Sequence, residues 1–270
     1  MTAFANHFTY EFKTGLRNTT LLMMNYLFPL GFYAMMGLIM TKINPGFTQL
    51  LIPAMVVLAA MTSTIMGLPG PMVELREAGV FRSFKINGIP ILSVLAIPTL
   101  TTIFHALIVA TIIALTGAPL FGGVAPTNWA AFILVTLVTV FTFGAIGTLI
   151  GVVATSSRGT VLYSQLIFLP SMLLGGMMMP ISILPASVRP ISMLLPSAYV
   201  MQAYTGLAYG QETVVNPMSA LAILAVSGVL TFGLASYLFN WDSRNNVRRS
   251  HLLLALLALV PYLIGALLLP

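Results

Sequence analysis

The chain has 270 residues, of which 59% are hydrophobic and only 6% charged, with a mean hydropathy of +1.02. Soluble domains carry roughly 25% charged residues, so a water-soluble fold is excluded and the composition is that of an all-α integral membrane protein. The net charge of +6 would suggest nucleic acid in a soluble protein, but membrane proteins retain Lys and Arg on their cytoplasmic side, and no nucleic-acid partner is expected.

Residues 2–20 are too polar for a cleavable signal peptide. Phe4, Phe8, Phe12 and Leu16 recur at four-residue spacing opposite Asn6, Lys13 and Arg17, the pattern of an amphipathic helix lying among lipid headgroups. Apolar runs follow at 21–41, 48–70, 91–115, 129–155, 160–179, 218–239 and 252–270. Each approaches the roughly 20 residues needed to cross about 30 Å of hydrocarbon. With the N-terminus inside, Lys13, Arg17, Arg76, Arg82, Lys85, Arg158, Arg244, Arg248 and Arg249 fall on the cytoplasmic side. Only Lys42 and Arg189 then lie outside, so nine of the eleven basic residues obey the positive-inside rule.

Between the second and third runs lies ELREAGVFRSFKINGIP at 74–90, with Glu74, Arg76, Glu77, Arg82 and Lys85 inside twelve positions. Helical ion pairs form at i,i+3 or i,i+4. Here Glu74 with Glu77, and Arg82 with Lys85, are like-charge pairs at that spacing. The charges therefore cannot satisfy one another on one helix and are expected to meet water, lipid phosphate or another chain. Gly79 costs a helix interior about 1 kcal/mol and marks a bend. Val80 to Lys85 is then a short helix with an apolar stripe of Val80, Phe81 and Phe84, ended by Gly88 and Pro90.

The segment 180–205 is apolar but holds Pro180, Pro185, Pro190 and Pro196, each of which removes a backbone donor. Broken backbone survives at membrane depth only inside protein or along a wet cavity. A pair of short re-entrant helices entering from the outer face fits this pattern, with a plain external loop as the alternative.

Several chemistries are missing. No G-x-x-x-x-G-K-[ST] loop is present, so ATP hydrolysis by this chain alone is not expected. The absence of cysteine removes disulfides and thiolate metal sites, and His7, His105 and His251 lack acidic neighbours at ligand spacing. Met177 to Met179 point in different directions on a helix and read as adaptable packing rather than copper ligation. The spans hold no carboxylate, which argues against proton or sodium coupling. Their polarity is neutral: Thr62, Ser63 and Thr64 on the second run, Tyr163, Ser164 and Gln165 on the fifth. Such sets pack helices together or line a path for an amphiphile.

The order Glu74, Arg76, Glu77, Gly79, Arg82, Lys85, Pro90 resembles the acidic-then-basic cytoplasmic motif of ABC type-2 permeases, the membrane subunits of ATP-driven exporters. GGMMMPISILPASVRPISMLLPSAYVMQAYTGL at 175–207 is similar to that family's last external segment, with Pro196, Tyr199, Val200 and Ala203 in its closing stretch. The resemblance implies a six-span permease domain over 1–240, with an interfacial helix at 2–20, a coupling segment at 71–90 and re-entrant helices at 180–205. It implies that Glu74, Glu77, Arg82 and Lys85 couple to a separate nucleotide-binding ATPase subunit, which holds ATP and Mg²⁺ while this chain binds no cofactor or metal. It also implies that the second and fifth spans face each other across the path, with Thr62, Met66, Tyr163, Gln165, Phe168 and Met172 as lining. A second permease copy or a sister permease completes the dimer in the cell membrane. The run 252–270, within 241–270, departs from the family as an extra C-terminal span. Because that presumed lining is apolar with scattered hydroxyls, the expected cargo is a hydrophobic or amphiphilic small molecule: a drug, antibiotic or lipid. A polysaccharide or teichoic-acid exporter and an ATP-independent carrier are the alternatives.

Overall fold

The computed structural model describes residues 9, 12, 13, 17–242 and 253–268. No strand occurs among them. Five helices are long and apolar enough to cross a bilayer: α1 (Thr19–Ile43), α2 (Pro45–Glu77), α4 (Ile91–Phe121), α5 (Trp129–Val153) and α8 (Pro217–Leu238). Between α2 and α4 runs the short α3 (Val80–Ile86).

The two other expected spans are shorter helices. α6 covers Ser157–Leu174, diluted by Arg158 and Gln165 and ended before a run of bends at 175–179, where Gly176 takes φ +85. α9, the described part of the C-terminal run, covers Leu253–Leu267.

Helix starts follow from local chemistry. Asn18 Oδ1 accepts from the amides of Thr20 and Leu21, Asn128 Oδ1 from Ala131, and Ser156 Oγ from Gly159. Each satisfies an amide that a helix start leaves free.

α2 is the axis of the bundle. Of its most apolar stretch, 89% is buried, against 28% for α1, and a helix apolar all round belongs in a core. It loosens into a π-helical turn at Thr62–Gly67, where α5 crosses it. A Cβ on Gly147 would overlap the Thr64 carbonyl oxygen, so only glycine allows this approach. Hydroxyl pairs join the other layers: Thr99 with Thr148 at 2.6 Å ties α4 to α5, and Thr142 donates to the Leu224 carbonyl at 2.9 Å, tying α5 to α8.

The proline-rich segment comprises single turns at Ile181–Ile183 and Arg189–Ser192, then α7 (Pro196–Ala203), which continues as a π-helical turn over Tyr204–Ala208. Every residue of Pro196–Ala203 is buried, whereas the irregular stretch before it keeps Ser182, Ile183, Pro185, Ala186 and Ser187 exposed. The tip at Leu194–Pro196 lies beside Ile150 and Val153 of α5.

Most of the expected interfacial helix 2–20, including Phe4, Phe8 and Leu16, lies outside the described residues, as do Arg244, Arg248 and Arg249. Phe12, which is described, stacks on the ring of His105 with centroids 4.5 Å apart. Tyr26 meets Nδ1 of that histidine at 2.6 Å, so His105 is an interface residue.

Candidate functional site

At one end of the bundle, α2 runs out of its apolar stretch and presents Glu74 and Glu77, both exposed. Its helix stops at Ala78, and Gly79 takes φ +75, a left-handed conformation that an L side chain resists. The chain turns there into α3. Phe81 anchors α3 by its buried ring, 5.3 Å from that of Phe239. Arg82, Lys85 and Ile86 are exposed, Ile86 at 81%. Gly88 at φ +70 and Pro90 then lead into α4. Two exposed acidic side chains at the end of α2 are thus followed, across one turn, by two exposed basic side chains on a short helix anchored through Phe81.

Two charges behave differently from the sequence expectation that all would need water, lipid or another chain. Arg82 lies 3.9 Å from Asp242, with both side chains about two-thirds exposed, so this contact is weak. Arg76 is 2% exposed. Its Nη1 donates to the carbonyls of Gly151 and Val152 at 3.1 and 3.2 Å, and its Nη2 to that of Ala154. Those carbonyls belong to the last turn of α5 and the residue after it, where helix carbonyls lack partners and the macrodipole is negative. The signal for this was helical phase. Pro69, Met72, Val73 and Arg76 fall on one buried stripe, three or four residues apart. Ile86 was also missed, since an apolar residue closing a short helix carries no distinctive pattern.

The expected lining residues are only partly brought together. α2 and α6 do touch: Ser164 Oγ donates to the Ile65 carbonyl at 2.5 Å. Thr62 is fully buried and donates to Ala59 of its own helix, and Phe168 is buried too. Met66, Tyr163, Gln165 and Met172 keep part of their surface open. Gln165, Phe168 and Met172 share one helix face at i, i+3 and i+7, and Gln165 Oε1 is buried without a hydrogen-bond partner. Tyr163 is turned elsewhere, lining a cavity of about 460 Å³ with Ile150, Leu195, Thr231 and Tyr262. The six therefore do not form one surface within the single chain.

A second cavity, of about 570 Å³, opens at the opposite end of the bundle among Phe47, Met178, Met179, Met201, Gln202 and Glu212. Because 175–179 is not helical, Met178 and Met179 reach the same space. A helix here would instead turn consecutive methionines in different directions. Among the described residues no cluster of His, Cys, Asp or Glu could hold a metal.

The model of the ABC-2 type transporter family matches residues 3–209. The chain belongs to that family. It is therefore a multi-pass membrane permease domain, a kind that typically carries no ATPase of its own and works with an ATPase partner. The match takes in α1 to α7 and both motifs seen in the sequence, while α8 and α9 lie beyond it. No curated protein and no solved structure matches the permease.

Proposed function

We propose that this permease is half of a dimeric ATP-binding-cassette exporter in the cytoplasmic membrane, moving hydrophobic or amphiphilic small molecules out of the cell. The observation that carries the reading is the charged end. Exposed Glu74 and Glu77 end α2, and across the turn at Gly79 exposed Arg82 and Lys85 lie on α3, which is anchored through Phe81. Short, anchored from behind and carrying charges of both signs, that end suits a protein partner, because complementary charges steer and select partners at an interface. The partner is the nucleotide-binding ATPase subunit, which holds ATP and Mg²⁺. This places the charged end in the cytoplasm and the methionine-lined cavity on the outside, an orientation supported by the distribution of Lys and Arg. Apolar walls with scattered hydroxyls and amides along α2 and α6 favour an amphiphilic cargo.

The test is purification of the tagged permease from its host in a mild detergent, with mass spectrometry of the proteins that accompany it. Recovery of a nucleotide-binding ATPase, lost in the Glu74→Ala/Glu77→Ala double variant, is the expected result. Recovery of the permease alone, in a detergent that preserves known complexes, overturns it in favour of an ATP-independent carrier.

A further inference from the structure

We infer that Arg76 is the positioning residue through which the charged end of the permease moves α6. The inference rests on the exporter reading above and adds a route by which force leaves the docking site.

Arg76 sits between the two exposed glutamates in sequence but points the other way, into protein. Its guanidinium reaches three carbonyls, of Gly151, Val152 and Ala154. The first two end α5 and the third begins the connection to α6, whose cap, Ser156, is two residues further on. The same fork therefore holds the end of one span and the root of the next. Around it the contact is apolar. Leu68 and Met72 of α2 pack with Leu149, Val152 and Val153 of α5, and a Cβ on Gly151 would come within 2.9 Å of the Met72 sulfur. Charge-assisted hydrogen bonds in such surroundings are strong and directional. Removing one partner leaves buried carbonyls without donors.

A direct tie between α2 and α6 is Ser164 to the Ile65 carbonyl, two turns into α6. A hold on the connection just before α6 and a second on α6 itself together set its tilt. A displacement of Glu74, Glu77 and α3 by a docked ATPase is carried by Arg76 to the root of α6, while the Ser164 contact, beside the π-helical turn of α2, acts as the pivot. α6 bears Gln165, Phe168 and Met172. A lysine could neutralise the helix end, but a single ammonium lacks the planar fork that spans three carbonyls. This is why the position holds arginine.

The experiment uses the intact permease–ATPase complex and does not depend on the cargo. The permease has no cysteine, so Leu162→Cys on the exposed face of α6 takes a single nitroxide spin label in this subunit. Three quantities are measured: ATPase recovered with the permease, ATP hydrolysis, and the change in the label spectrum on adding ATP and Mg²⁺. In the otherwise unmodified complex the spectrum changes. With Arg76→Gln the ATPase is still recovered and still hydrolyses ATP, but the spectral change falls at least fivefold. Arg76→Lys restores part of it. An undiminished change in Arg76→Gln overturns the inference and leaves the exporter reading intact. Failure of the unmodified permease to recover an ATPase overturns both. If Arg76→Gln does not assemble, Arg76→Lys decides: a reduced spectral change supports the role, and a full one overturns it.

Discussion

Tyr199 donates its hydroxyl to the backbone carbonyl of Tyr262 at 3.1 Å, and the two rings lie 5.6 Å apart. Tyr199 belongs to α7, inside the matched family region, and Tyr262 to α9, outside it. A Cβ on Gly265 would overlap the same hydroxyl, so α9 is seated on α7 by a hydrogen bond and a glycine notch together. The C-terminal helix is therefore part of the packed bundle, and it walls the 460 Å³ cavity.

Tyr199→Phe keeps the ring and removes only the donor. A net hydrogen bond contributes about 1 kcal/mol, which lowers a thermal midpoint by about 2–4 °C in a domain of this size. Gly265→Leu fills the notch and should unseat α9, seen as faster proteolytic loss of the C-terminus. A Gly265→Leu chain as resistant as the parent would show that the helix is held elsewhere.

Two glycines separate packing from propensity. Gly147→Ala drives a methyl group into the Thr64 carbonyl, and overpacking of this kind costs about 1–3 kcal/mol. Gly233, on α8, has nothing within 4 Å of a built Cβ, so Gly233→Ala should be neutral or stabilise by up to about 1 kcal/mol through helix propensity. Thermal midpoints in one detergent compare them directly. Equal effects would mean that the α2–α5 approach is not tight.

The Arg82–Asp242 pair spans 3.9 Å between side chains that are both mostly exposed, and such pairs contribute about 0–1 kcal/mol. Asp242→Asn should therefore leave the thermal midpoint nearly unchanged. Arg82→Glu should also leave it nearly unchanged, yet reduce ATPase recovery severalfold, and more so at low salt, where charge contacts are less screened. A large fall in stability with undiminished recovery would make Arg82 a fold residue.

The spans were legible because hydropathy sets them, but their ends were not. α2 continues to Glu77 and α4 to Phe121, past the apolar stretch, since a helix already nucleated extends through polar residues at little cost. Gly79 and Gly88 marked the bends around α3 correctly because positive φ leaves a local trace in sequence. Arg76 left one only in its helical phase, because its acceptors are backbone carbonyls 75 or more residues away and any sequence supplies carbonyls. The methionine cavity was hidden for a related reason. Whether Met178 and Met179 diverge or converge depends on whether 175–179 is helical, and the glycines at 175 and 176 decide that only in the folded context.

Gln165 offers the sharpest separation of stability from transport. Its Oε1 is buried without a partner, and an unsatisfied buried acceptor costs about 1–3 kcal/mol. Gln165→Leu keeps similar volume and removes that cost, so the isolated permease should gain about 1 kcal/mol and melt a few degrees higher. If the face shared with Phe168 and Met172 carries cargo, the same change should lower export of hydrogen-bonding amphiphiles severalfold while sparing purely apolar dyes, because the transported molecule loses its one amide contact there. Stability bought at the expense of activity is the signature of a functional position. A variant that is more stable and transports both kinds of dye as well as the parent would place Gln165 in packing alone, and would move the search for the path to the Tyr163 cavity.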